Sequence, residues 1–232
     1  MRTRRPFAYA LVVLLFCALW LWAALPASDD FERATLGANW TQATFEGGNN
    51  CTITGSSDAT LSAAGQDVYC FWNADVPNAG SNYAFVQLTD TTAQKGAATG
   101  IEDGATDDGV ACIAGDSTSW HLERYDGGAW AEVTSGAHTW APGDFIGIER
   151  HSANTFRCYF SSDGTSWTAL GAADSTVNNI VDPGRAGMVL FATTGSPQIE
   201  QWEGGNGALP TGGAPRRLLV ITRRHRFRAR QQ

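Results

Sequence analysis

The sequence predicts an all-β protein, a two-sheet antiparallel β-sandwich. Three observations carry that expectation. Short runs alternate apolar and polar residues with period two, as in Val68-Tyr-Cys-Phe-Trp72, Tyr83-Ala-Phe-Val-Gln-Leu-Thr89, Trp120-His-Leu-Glu-Arg-Tyr125 and Phe156-Arg-Cys-Tyr-Phe160. That is the pattern of strands with one buried face. Gly, Asp, Asn and Ser punctuate the runs at about the 8–12-residue spacing of sandwiches and barrels. Beyond an apolar run near the N-terminus, no segment keeps a helical stripe for three turns.

Turn chemistry orders the elements. Asp126-Gly127-Gly128 joins the strand ending at Tyr125 to one around Trp130. His151-Ser-Ala-Asn154 joins Phe145–Arg150 to Thr155–Ser161, and Asp163-Gly164 turns that strand towards Trp167. Such pairs between extended runs are hairpin signals. Roughly ten to thirteen short strands are expected from this spacing. Between a strand ending near Asp90 and one starting at Val110, a Gly-, Ala- and Thr-rich stretch reads as a loop of about twenty residues, long enough to be functional.

The ends differ from the middle. Arg2-Thr3-Arg4-Arg5 precedes a mostly apolar run from Phe7 to Leu25, and Pro26-Ala27 follows. Basic, apolar, small is the order of an export signal. As a helix the run would span about 28 Å, so residues 1–27 are read as a signal peptide or an N-terminal membrane anchor. Either places the domain outside, secreted or at the cell surface. Residues 28–203 form the sandwich domain, and 204–232 a Gly/Pro-rich linker and basic tail.

Charge is segregated along the chain. All 23 acids lie between Asp29 and Glu203 beside six bases, a net charge of −17, whereas Arg216 to Arg230 holds seven arginines. So acidic a domain repels phosphate backbones, which excludes nucleic acid as its partner. The tail suits electrostatic attachment to an anionic surface or simple solvation. Outside the leader remain Cys51, Cys70, Cys112 and Cys158. In an oxidising compartment they permit two disulfides in three connectivities; the alternative is four buried thiols.

The order of motifs resembles a known family. Asp29-Asp30-Phe31-Glu-Arg-Ala-Thr-Leu-Gly-Ala-Asn-Trp40 looks like the opening strand of concanavalin A-like lectin/glucanase jelly rolls, of the laminin-G-like kind found in bacterial and phage surface proteins. Tyr159-Phe-Ser-Ser-Asp-Gly-Thr-Ser-Trp167 looks like that family's strand–turn–Trp hairpin. Gly184 to Phe191 and Gln201-Trp-Glu-Gly-Gly205 resemble its last two strands. The resemblance implies two packed sheets, one concave, with first and last strands adjacent. It implies no single activity, because the fold hosts lectins, glycanases and spacers.

Retaining glycosidases hold two carboxyls about 5–5.5 Å apart. On one strand that needs acids two or four residues apart, and Glu123, Glu149, Glu200 and Glu203 have no such partner. Triad and metalloprotease motifs are also missing. The expectation is therefore a non-catalytic module binding a polysaccharide or cell-surface glycan, or serving display and adhesion. The alternatives are a glycoside hydrolase or polysaccharide lyase of the same fold, and a spacer without ligand. Sugar C–H faces stack on exposed aromatic rings, and Trp120, Tyr125 and Trp130 are the candidates. Calcium, which takes six to eight oxygens, is the candidate cofactor. Its ligands would come from Glu102, Asp103, Asp107 and Asp108 in the long loop, or from Asp29, Asp30 and Glu200 at the adjoining chain ends.

Overall fold

The computed structural model describes residues 26–43, 51–54, 58–62, 68–76, 81–101, 108–126, 129–177, 184–191 and 197–211. Among these residues there is no helix. Fifteen strands follow in chain order: β1 Ala27–Asp29, β2 Trp40–Ala43, β3 Cys51–Ile53, β4 Ala59–Leu61, β5 Val68–Val76, β6 Asn82–Leu88, β7 Lys95–Ile101, β8 Asp108–Asp116, β9 Ser119–Asp126, β10 Ala129–Ala137, β11 Phe145–Ser152, β12 Thr155–Ser161, β13 Thr168–Thr176, β14 Gly184–Leu190 and β15 Ile199–Asn206. One sheet has the order β13-β12-β11-β6-β15-β4-β3 with β1 also on β15; the other runs β10-β9-β8-β7-β14-β5-β2. Every pairing is antiparallel. The chain is a two-sheet β-sandwich whose first and last strands pair, Ala27 opposite Gly204.

The alternation seen in the sequence is the division between layers. Trp120 and Leu122 of β9 point into the core between the sheets, while Tyr125 belongs to a second apolar cluster on the far face of the seven-stranded sheet. The shared core centres on tryptophan. Trp202 meets Trp40 edge-on at 4.8 Å between ring centroids and stacks on Trp72 at 5.5 Å. Beside them the buried Asp29 carboxylate accepts the Trp40 indole N–H at 2.6 Å and the Phe31 amide at 2.9 Å. The Arg33 guanidinium grips both of its oxygens. A carboxylate can be buried only when so fully engaged.

Both disulfides run between the layers. Cys51 of β3 joins Cys70 of β5, and Cys112 of β8 joins Cys158 of β12, with Cα separations of 6.3 and 5.5 Å. Each pair consists of inward-facing cysteines on strands of opposite sheets.

Two expectations about segments change. The stretch read as a long loop contains β7, a strand in the interior of its sheet and buried along its whole length. Its Lys-Gly-Ala-Ala-Thr-Gly-Ile sequence shows no alternation because its neighbours leave no room for side chains. A Cβ on Gly96 would lie 1.9 Å from the Cys112 carbonyl oxygen. At the other end the sheet continues past Glu203 into residues whose composition suggests a linker. Gly204 and Gly205 are in β15, and a Cβ on Gly204 would strike the Trp202 ring at 2.6 Å. These glycines serve packing rather than flexibility. Leu209 is buried with Tyr83, Phe85 and Phe145, and the Trp167 indole donates to the Pro210 carbonyl at 2.9 Å.

Candidate functional site

The hairpin β9–β10 forms one edge of the seven-stranded sheet and collects the polar and aromatic residues suited to binding. Its register sets Tyr125 opposite Trp130, Glu123 opposite Glu132 and His121 opposite Ser135, with a bulge between Glu132 and Thr134. His121, Glu123 and Tyr125 alternate with inward Trp120 and Leu122, so they share the face turned away from the core. The bulge at Val133 keeps Glu132 and Ser135 together around His121.

Trp130 is half-buried. It packs on Phe191, Tyr69 and Tyr125 at centroid distances of 4.7, 5.0 and 5.3 Å. One side of the indole is thus fixed by three rings. A platform held this way loses little side-chain freedom when a ligand stacks on it.

A polar group adjoins it. His121 Nδ1 lies 2.8 Å from Glu132 Oε2, and His121 Nε2 lies 3.1 Å from Ser119 Oγ. Ser135 Oγ donates to Glu132 Oε1 at 2.9 Å. Bonding to His121 first, then to Ser135, holds the Glu132 carboxyl below its ordinary range. One ligand atom each from His121, Glu123 and Glu132 lies within 4.8 Å of the others.

The residues singled out from sequence fall differently. Trp120 is 5% exposed and Tyr125 2%, so neither offers a stacking surface, whereas Trp130 is half-buried. Trp120 lines the inter-sheet core and Tyr125 supports Trp130 from beneath. Asp29 is consumed by Arg33, Trp40 and the Phe31 amide, which leaves it no lone pairs for a cation. Asp30 accepts the Glu32 amide at 3.2 Å, and Glu200 is exposed. Asp29, Asp30 and Glu200 are not gathered into a ligand group. Asp108 is buried at the start of β8, opposite Asp126. Glu102, Asp103 and Asp107 lie outside the described residues.

The carboxylate pair across β9 and β10 is what sequence reasoning missed. Searching each strand by itself finds no partner for Glu123. The signal was present: a two-residue turn at Gly127-Gly128 sets 126 against 129, and counting back sets 123 against 132.

No family model matches the sequence, and no curated protein is similar to it. Among solved structures it is similar to the carbohydrate binding module CBM66 from Bacillus subtilis, at 12% identity and a TM-score of 0.47, over 72% of this chain and 92% of that one. It is similar also to a protein of unknown function from Shewanella oneidensis MR-1, at 13% identity and a TM-score of 0.49, over 86% and 96%. With xylan beta-1,4-xylosidase from Bacillus halodurans C-125 it shares 12% identity and a TM-score of 0.48, over 80% of this chain but 40% of the enzyme. The likeness is one of β-sandwich fold; ligand and chemistry do not pass with it.

Proposed function

We propose that this protein is an exported, non-catalytic glycan-binding module of the concanavalin A-like type, with its ligand seated at Trp130. The observation that carries the reading is a half-buried indole clamped by Tyr69, Tyr125 and Phe191 beside Glu123, Glu132 and His121. Such a patch offers a flat apolar surface for a sugar ring and acceptors for its hydroxyls. Two disulfides between the layers support an oxidising, extracellular setting. The test is a glycan array with soluble polysaccharide titrations read by tryptophan fluorescence. Binding that Trp130→Ala weakens at least tenfold supports the reading. Silence on every glycan, or binding indifferent to that substitution, overturns it.

One observation favours a second reading, retaining glycoside hydrolysis: the Glu123–Glu132 pair has the closeness that mechanism needs. It also needs one carboxyl protonated near neutrality, and Glu132 is held in the opposite direction. The acid would have to be Glu123. Release of reducing sugar from polysaccharides, abolished in Glu123→Gln, would establish hydrolysis in place of simple binding.

A further inference from the structure

We infer that His121, Glu123 and Glu132 constitute a binding site for a divalent transition metal ion of the zinc class. The inference shares these three polar residues with the glycan reading and uses no feature of Trp130.

The donor set comes first. A nitrogen and two carboxylates, with their ligand atoms within 4.8 Å of one another, sit on two paired strands. An ion with bonds of about 2.0–2.2 Å to imidazole and carboxylate draws its donors to about 3–3.5 Å apart. The register already sets Glu123 opposite Glu132, and His121 already touches Glu132, so side-chain rotations suffice. Imidazole with carboxylates suits zinc, cobalt or nickel; calcium would want six to eight oxygens.

Electrostatics supplies a second, independent reason. Glu123 and Glu132 occupy directly opposed positions on one face, an arrangement that destabilises a sheet when both carry charge. They do so in a domain with seventeen more acids than bases. A dication between them converts that repulsion into attraction.

The surroundings of the imidazole are the third. Ser119 Oγ lies 3.1 Å from His121 Nε2 and donates to Asp116 Oδ1 at 3.2 Å. In the metal-free protein Nδ1–H donates to Glu132 Oε2. A bound ion would replace that proton on Nδ1, leaving Nε2–H to donate to Ser119. An outer hydrogen bond that fixes the ring and its tautomer is the usual companion of a metal-bound histidine. Ser135 orients Glu132 in the same way. Glu132 is about half exposed and His121 about a quarter, so an ion and its remaining water ligands have access.

The test uses the full chain after removal of metals with a chelator. Calorimetric titration with zinc chloride, in excess magnesium to saturate diffuse acidic sites, is expected to show one ion per chain at micromolar affinity or tighter. Cobalt chloride should give the visible absorption of a low-coordinate, nitrogen-containing site. His121→Ala should weaken zinc at least a hundredfold, Glu132→Gln at least tenfold, and Ser119→Ala about tenfold through loss of orientation. His151→Ala, on the opposite sheet, should leave affinity unchanged. Near-ultraviolet circular dichroism checks that each variant is folded. Absence of one-to-one binding, or binding that survives His121→Ala, overturns the inference. Loss of zinc with glycan binding intact would leave the Trp130 reading standing, and the converse holds.

Discussion

Glu123 and Glu132 face each other across the β9–β10 ladder at directly paired positions, nine residues apart in sequence. Opposed like charges weaken a strand pair, by about 0.2–1 kcal/mol for cross-strand pairs of this kind. In metal-free protein at low ionic strength, Glu123→Gln should therefore raise stability within that range. In 1 M salt, where screening acts over about 3 Å, the gain should shrink. Glu132→Gln removes the same repulsion while weakening the bond to His121. Urea unfolding at the two salt concentrations measures both.

The disulfides should contribute unequally. Cys51–Cys70 closes 19 residues and Cys112–Cys158 closes 46. Loop-closure entropy gives about 3 kcal/mol for the first and about 4 kcal/mol for the second. The double variant Cys112→Ser/Cys158→Ser should accordingly unfold at lower denaturant than Cys51→Ser/Cys70→Ser. Equal or reversed midpoints would show that strain or residual denatured-state structure dominates.

Asp29 distinguishes a structural carboxylate from a calcium ligand. Asp29→Asn removes the charge that binds Arg33 and weakens the acceptor for Trp40, at a cost of about 1–3 kcal/mol. Thermal melts with calcium and with chelator should show the same loss. A deficit that appears only when calcium is present would return Asp29 to metal binding.

Asp58 makes a prediction about pH. Burial, with a smaller contribution from Asp90, raises its carboxyl above the ordinary 3.8. A raised acid favours the neutral form in the folded state, so its ionised form costs stability above the folded-state value. Asp58→Asn should melt higher than the parent at pH 7, and the difference should vanish near pH 3. A difference independent of pH would assign the effect to packing instead.

What could be read from sequence followed the visibility of alternation. Strands β5, β6, β9 and β12 expose one face to the core and the other away from it, so their residue types alternate. The strand β7 is covered on both faces and built of Gly, Ala and Thr, which erases the pattern and made it look like loop. Tyr125 and Trp120 show the same limit in the site. Period two says that they lie on opposite faces, and does not say that both faces bear apolar clusters. The Glu123–Glu132 pair needed the register of the partner strand as well as the alternation.

The pairing of β1 with β15 has a consequence for how the domain can be deployed. Ala27 lies opposite Gly204 in antiparallel register, so the start of the first strand and the end of the last lie side by side. A fold with neighbouring termini can be spliced into a surface loop of a host protein, or circularly permuted, without stretching its own backbone. Its architecture is that of a plug-in cassette.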